Sequence, residues 1–559
     1  MTKKLIALLL SLALLLGFVS VAAAESHDMA EPIILLSGFT STQLFAYPDD
    51  PERRAHVWDL DFNVVGEEVL RELPGLLGGL LIWLVTRHSG VVSSAFERAA
   101  EHAIGMLAMN PDGTPAYDIG PFPGTTEERS LAAIRANEDP NAWRTQQLGA
   151  FARYFEEHVG AENIFIFQYD WRQSNVETAR RLRSFIQEVK EATGSETVRL
   201  FANSYGGQLA GVYLADFAAD RDVSLVVMDV PALGGSSMIP GLLTGQDIQV
   251  NIGTFIRFME SYSGGEGGRD FSWLLDLLPQ QCLAPLLTDL LQAGLLSVAR
   301  SWGGLWDLVP AADFDATLQA VMGDDEYWWL EDSIRLHHEI MPNWGEILRR
   351  AQDDYGIAIR IVATPGSQQL FGTTGSNSDG LLDVRYKTGA RVAPLGERHA
   401  YGERLSPAQN INAATAWLPD HTWFVEGQFH GASWGDPYAF HLLTSLMFDP
   451  ELNTVHCNPA FPQFALSRSP GRELYVRFDG DALFIENLTN HHSIRLLSIH
   501  GLCFELPRAA LASRNARPLP LTSERPEPGS LVSLRICYLL VPDGLGLPVR
   551  RSRTFDITI

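Results

Sequence analysis

Residues 198–217 read VRLFANSYGGQLAGVYLADF: a short apolar run that enters Ser204, followed by Leu209, Val212, Tyr213, Ala215 and Phe217 at helix-compatible spacing. A strand that runs directly into a serine, with a helix starting directly after it, leaves little choice of architecture. The turn must be sharp, which the small residues Ala202 and Gly206 permit, and the hydroxyl then stands exposed above the carboxyl end of a sheet. The bare pattern Ala/Gly-x-Ser-x-Gly is no guide by itself, because it recurs at Ala299 to Gly303 and at Gly431 to Gly435. Ser301 falls in Leu/Trp-rich helical sequence. Ser433 lies well beyond the preceding strand, with no acid and base left in order after it.

The same alternation of strand and helix continues from about Pro32 to Asp449. Apolar runs at Ile33–Leu36, Ile164–Phe167, Val198–Phe201, Leu225–Asp229, Ile359–Ala363 and Thr422–Val425 alternate with helix-period segments. One such segment is Val176–Thr193, with Val176, Ala179, Leu182, Phe185, Ile186 and Val189 on one face. This pattern implies an α/β domain over 25–455, a mostly parallel sheet with helices on both faces. Two inserts, at about 61–144 and 235–354, interrupt it and are expected to form caps packed on the core or lids beside a site. The first holds the apolar, Gly-broken segment Leu73–Val85, too short to span a membrane. After the prolines at 459, 462 and 470 the texture becomes that of short alternating strands, and 460–559 is expected to be a separate all-β, sandwich-like domain.

The formal net charge is −25, with Lys+Arg 42 against Asp+Glu 67 and no basic run. That argues against nucleic acid and against electrostatic attraction to an anionic membrane; any lipid contact has to be apolar. Residues 1–24 show Lys3 and Lys4, an apolar run and Ala22–Ala24, the pattern of a signal peptide, so the body is expected to be secreted or extracytoplasmic; an uncleaved N-terminal anchor is the alternative. Four cysteines, Cys282, Cys457, Cys503 and Cys537, make neither a disulfide framework nor a zinc site. Cys503 and Cys537 either pair or stay as free thiols. His491-His492 is expected to be surface sequence rather than a metal site.

A serine hydroxyl is a weak nucleophile and needs a histidine base and a carboxylate to orient that base. In a strand–serine–helix fold the order along the chain is serine, acid, histidine, each on a loop after a strand. Asp379, before Gly380 in a turn-rich loop after the strand ending at Ala363, is the expected acid, with Asp383 read as a surface salt-bridge partner. Among His399, His421 and His430, the last follows the strand Thr422–Val425 and so shares the edge of the sheet with Ser204, whereas His421 precedes that strand. Two backbone donors are expected for the oxyanion, the amides of Tyr205 and Phe39, with Gly38 allowing the chain to turn.

With those residues placed, the chain resembles the lecithin:cholesterol acyltransferase and lysosomal phospholipase A2 family of α/β-hydrolases over roughly Glu31 to Pro450. The matching segments are Ser37–Leu44, Gln168-Tyr169-Asp170-Trp171-Arg172, Ala202-Asn203-Ser204-Tyr205-Gly206, Val230–Ser236, Asp379-Gly380-Leu381-Leu382 and Phe429-His430-Gly431. Asn203 stands where the family has histidine and Ser37 where it has proline, and the paired cysteines that pin the lid in animal members are absent. The resemblance implies attack of Ser204 on a glycerophospholipid or related ester, an acyl-enzyme, and transfer of the acyl group to water or an alcohol. It implies no metal or organic cofactor. Trp83, Trp302 and Trp306 are aromatic candidates for seating the apolar inserts on a lipid interface. Rival readings are a general carboxylesterase or triacylglycerol lipase, and an inactive secreted cell-envelope binding protein.

Overall fold

The computed structural model describes residues 31–58, 105–110, 113–137, 149–246, 250–251, 254, 296–323, 331–372, 376–395, 397–431, 433–467 and, beyond 473, chiefly the strands of the C-terminal part. The leader, Leu73–Val85 with Trp83, and Cys282 lie outside the described residues.

The main sheet has seven strands: β1 Ile33–Leu36, β2 Ile164–Phe167, β3 Val198–Asn203, β4 Val223–Asp229, β5 Ala358–Ala363, β6 Thr422–Glu426 and β7 Phe464–Leu466. They lie side by side in the order β7-β6-β5-β4-β3-β1-β2, and every pairing is parallel. Strands covered on both faces read as continuous apolar runs, as in IILL of β1 and IFIF of β2. The flanking helices are α1 Gly149–Val159, α2 Asn175–Thr193, α3 Tyr205–Phe217, α4 Trp344–Asp353 and α5 Pro437–Phe448. Ile34 and Leu36 join the buried cluster that contains α2, α3 and α4; Ile33 and Leu35 join the one that contains α1 and α5. The molecule is thus an α/β-hydrolase fold with helices on both faces of a parallel sheet.

Local signals set the helix ends. Ser174 caps α2 by accepting from the Val176 amide, and Gly194 closes it with φ 68°. Asp436 caps α5 by accepting from the amides of Tyr438 and Ala439, with Pro437 in the first turn.

One expectation is corrected, and two alternatives that the sequence leaves open are decided. Phe464–Leu466, expected within a separate C-terminal domain beginning at 460, is the edge strand β7 of the main sheet; Phe424 and Phe464 pair in register and their rings stack at 5.1 Å. Of the two alternatives for the 235–354 insert, its end takes the one packed on the core: α4 buries Trp344 and Leu348 against the main core, and the Trp344 indole N–H donates to the Leu233 carbonyl at 2.8 Å. Cys503 is exposed, Cys537 is buried, and both are free.

Within the first insert, Ile119–Pro121 pairs with Leu44–Ala46, which also pairs with Ala55–Trp58, in a small antiparallel sheet. A buried ion pair ties this excursion to the core. Arg172 bonds Asp170 through Nε and Nη2, and reaches the carbonyls of Leu107 at 3.3 Å and Ile119 at 2.9 Å. The C-terminal part has two three-stranded antiparallel sheets, 474–479/482–487/516–520 and 492–500/531–542/549–558, which share a core including Leu483, Ile485, Ile494, Leu534 and Ile536.

Candidate active site

β3 delivers Ser204 at φ 55°, ψ −118°, a conformation L-residues rarely hold. The neighbours that enforce it are backbone groups: the Ser204 amide donates to the Asp229 carbonyl at 2.9 Å, and its carbonyl accepts from Gly207 and Ala232, each at 2.9 Å. Gly206 is required here, because a Cβ on it would lie 2.5 Å from the Leu36 carbonyl oxygen. The close approach of α3 to the end of β1 therefore makes the turn, as the small residue at 206 implied.

Ser204 Oγ lies 2.8 Å from His430 Nε2, and His430 Nδ1 lies 2.7 Å from Asp379 Oδ2. A carboxylate only accepts, so Nδ1 carries the proton and Nε2 presents its lone pair to the serine hydroxyl. The backbone repeats the link, since the His430 amide donates to the Asp379 carbonyl at 2.8 Å. Asp379 Oδ1 accepts from the amides of Leu381 and Leu382 at 3.0 and 2.8 Å. Its Oδ2 also accepts from the buried ammonium of Lys387 at 2.6 Å. Burial pushes the Asp379 carboxyl up, but the charges and hydrogen bonds of His430 and Lys387 outweigh it and hold the group well below the usual carboxylate range.

The two residues expected to supply oxyanion donors flank the serine. Tyr205 opens α3, where first-turn amides lack helical partners, and its buried hydroxyl donates to Asp307 Oδ2 at 3.1 Å. A Cβ on Gly38 would lie 3.0 Å from Ser204 Cβ, which puts the chain leading into Phe39 directly against the serine. The Phe39 ring meets Tyr205 edge-on at 5.4 Å. Among the described residues, neither the Phe39 nor the Tyr205 amide donates a hydrogen bond within the protein.

Other sequence candidates sit elsewhere. His421 bonds the Asn453 carbonyl at the start of β6, and His399 the Arg391 carbonyl. Ser301 donates to the Val298 carbonyl, and Ser433 to Asp229 Oδ1 at 2.9 Å. Asp383, read as a surface salt-bridge residue, is buried and accepts from Ser237 and Gln369, because its loop folds back over the chain after β4. Trp302 and Trp306 are buried in the core rather than offered to a lipid interface: their indole N–H groups donate to the carbonyls of Leu107 and Arg300, and Trp302 packs edge-on to Trp171 at 5.1 Å.

Sequence reasoning missed three charged residues. Asp229 ends β4 and accepts from Asn203 and Ser433; burial pushes its carboxyl up to about 6. Asp307 accepts from Ser174 Oγ, the Asn175 amide and Tyr205 through Oδ2, and from Ser333 through Oδ1; burial lifts it likewise to about 6. Lys387 is the third, and one signal marks it. The chain has only four lysines, at 3, 4, 190 and 387, and otherwise uses arginine.

No protein-family model matches the chain, and no curated protein matches it. Solved structures give distant likenesses. The chain is similar to one in the crystal structure of the Tle4–Tli4 complex at 12% identity, covering 75% of this chain and 99% of that one, with a TM-score of 0.31. It is similar to phospholipase PlaB from Legionella pneumophila at 12% identity, with 73% and 86% covered and a TM-score of 0.29. It is also similar to serine hydrolase CCSP0084 from the polyaromatic-hydrocarbon-degrading bacterium Cycloclasticus zankles at 12% identity, with 49% and 73% covered and a TM-score of 0.19. At that level of likeness the chemistry of the site has to be read from its own side chains.

Proposed function

We propose that the protein is an exported serine-dependent lipid acyl hydrolase or O-acyltransferase that attacks glycerophospholipid or related lipid esters through an acyl-enzyme. The observation that carries the reading is the relay Ser204 Oγ, His430 and Asp379, joined at 2.8 and 2.7 Å. His430 Nε2 takes the hydroxyl proton as Ser204 Oγ bonds the ester carbonyl carbon, and the imidazolium is stabilised by Asp379. The amides of Phe39 and Tyr205 receive the oxyanion. Collapse breaks the ester C–O bond, and the leaving alcohol takes the proton from Nε2. Water or a lipid alcohol then enters, gives its proton to Nε2 and its oxygen to the acyl carbon, and Ser204 Oγ leaves with that proton. The lipid class follows the resemblance of the Tyr169-Asp170-Trp171-Arg172 and Ser37–Leu44 segments, and the apolar inserts are the proposed place of peripheral lipid contact.

A fluorophosphonate probe tests the reaction class. The native chain and Ser433→Ala are expected to label, and Ser204→Ala and His430→Ala to lose at least about 99% of it. Labelling that survives in Ser204→Ala refutes the assignment. Paired assays with phospholipid, triglyceride and short p-nitrophenyl esters then test the substrate class, and a chain that turns over only the short ester is a general carboxylesterase.

A further inference from the structure

Lys387 has no part in the relay described above, yet it sits at its centre. It lies in the short helix Val384–Thr388 with its side chain fully buried. Its Nζ is 2.6 Å from Asp379 Oδ2, the oxygen that also receives His430 Nδ1, and its other contacts are the Thr364 carbonyl at 3.1 Å and Thr364 Oγ1 at 3.5 Å. Asp379 does not need this donor for satisfaction, since two amides and the imidazole already hold both its oxygens. Burying an ammonium costs desolvation that a neutral donor at the same place would avoid. The residue type is also out of keeping with the chain, which has four lysines among 42 basic residues. A guanidinium presents a planar fork that would claim both carboxylate oxygens, whereas an ammonium is compact enough to share one oxygen with an imidazole.

We infer that Lys387 is a positioning residue of this site: its ammonium holds Asp379 Oδ2 in place and offsets the carboxylate charge that His430 meets, which keeps the imidazole in its neutral, proton-accepting form to lower pH. The inference rests on the serine-hydrolase reading above. The other ionisable groups acting on Asp379 and Lys387 are Asp383, at the start of the lysine's helix, and Asp229, at the end of β4; both favour the ammonium. Burial alone pulls Lys387 down, and Asp379 opposes it. With the ammonium removed, Asp379 faces His430 as an unpaired carboxylate. The imidazolium is then better stabilised, and the free base appears only at higher pH.

The test is the rate of fluorophosphonate labelling, measured with the full chain across the range where imidazole titrates, in the native protein, Lys387→Met and Lys387→Gln. Both variants are expected to shift the pH of half-maximal rate upward by about one unit or more. Gln keeps an N–H donor toward Asp379, so it isolates the charge and answers the question if the Met variant does not fold. A merely structural lysine would lower the folded fraction, followed by circular dichroism, or scale the rate equally at every pH. A half-maximal pH within about 0.3 unit of native, a downward shift, or loss of fold in both variants overturns the inference. Absence of native labelling, or labelling that survives in Ser204→Ala, overturns the underlying reading as well; a labelled native chain with an unmoved profile overturns this one alone.

Discussion

Replacing Asp379 by asparagine puts a nitrogen where a carboxylate oxygen now accepts, and neither orientation of the amide suits its surroundings. With the amide oxygen in the Oδ1 place, it keeps the N–H groups of Leu381 and Leu382, but Nδ2 then points its hydrogens at His430 Nδ1 and the Lys387 ammonium. His430 must move its proton to Nε2 to accept at Nδ1, and a protonated Nε2 has no lone pair for the Ser204 hydroxyl. Turned over, the amide satisfies His430 and Lys387 but sets a donor against the N–H groups of Leu381 and Leu382, the second of them buried. Loss of the carboxylate in such a relay costs about 10⁴ in rate, or about 5 kcal/mol of transition-state stabilisation. Stability suffers separately: the fully buried Lys387 ammonium loses its counter-charge, a change that typically costs about 3–5 kcal/mol. Asp379→Asn is therefore expected to label about 10³–10⁴ times more slowly and to unfold at lower urea. Adding Lys387→Met removes the stranded charge, so the double variant should regain most of the stability and none of the rate. Urea unfolding followed by tryptophan fluorescence, beside the labelling rate, measures both. A single variant that keeps more than about 1% of the rate, or a double variant no more stable than the single, refutes the reasoning.

Two glycines beside the serine should separate rate from stability. Gly206→Ala places a Cβ 2.5 Å from the Leu36 carbonyl oxygen and 2.7 Å from that of Ser37; these are backbone atoms, so the variant should lose about 1–3 kcal/mol together with most labelling. Gly38→Ala meets Ser204 Cβ at 3.0 Å and Oγ at 3.4 Å, and should slow labelling at least tenfold with little change in urea midpoint. Asp307, lifted by burial from 3.8 to about 6, takes up its proton in the folded chain before it does in the unfolded one. Its neutral form therefore stabilises the fold below about pH 4, and that contribution disappears as pH rises through about 6, a loss of about 3 kcal/mol in full and about 1.4 kcal/mol between pH 5 and pH 8. Asp307→Asn keeps an acceptor for Ser174, Asn175 and Tyr205 and a donor for Ser333, so its stability should vary less with pH by that amount. An unchanged pH slope in urea unfolding would contradict the assignment.

The strands were legible because a sheet covered on both faces demands unbroken apolar runs, and the placement of Ser204 and His430 followed from asking which loops leave the same edge. Asp379 was legible for the same reason, since it follows β5. What escaped the sequence are pairings made across long stretches of chain. Asp383 reads as a polar residue beside Val384 and Arg385, and only the return of the loop over Ser237, 146 residues away, buries it. Trp302 and Trp306 stand in sequence apolar enough for a lid, and their burial depends on Trp171 and on the Arg172 contacts that anchor Leu107 nearby. β7 escaped because three residues between prolines carry no period of their own; its partner β6 defines it.

Asp229 and Asp379 show how partners, rather than burial, divide the labour at the rim of the sheet. Both carboxylates are fully buried at the ends of neighbouring strands or just beyond them. Among the described residues Asp229 accepts from neutral donors, Asn203 Nδ2 and Ser433 Oγ, each at 2.9 Å, and burial outweighs them, so its carboxyl rises to about 6. Asp379 accepts from the imidazole and from an ammonium, and the same burial penalty is overcome. As pH falls, Asp229 therefore takes up a proton before Asp379 does, and Asp379 stays ionised against His430 Nδ1. Two carboxylates whose surroundings push them apart in this way can hold different roles on one edge. Asn203 works against that burial, because its side-chain N–H, like the Ser433 hydroxyl, favours the ionised form of Asp229, and burial prevails over both.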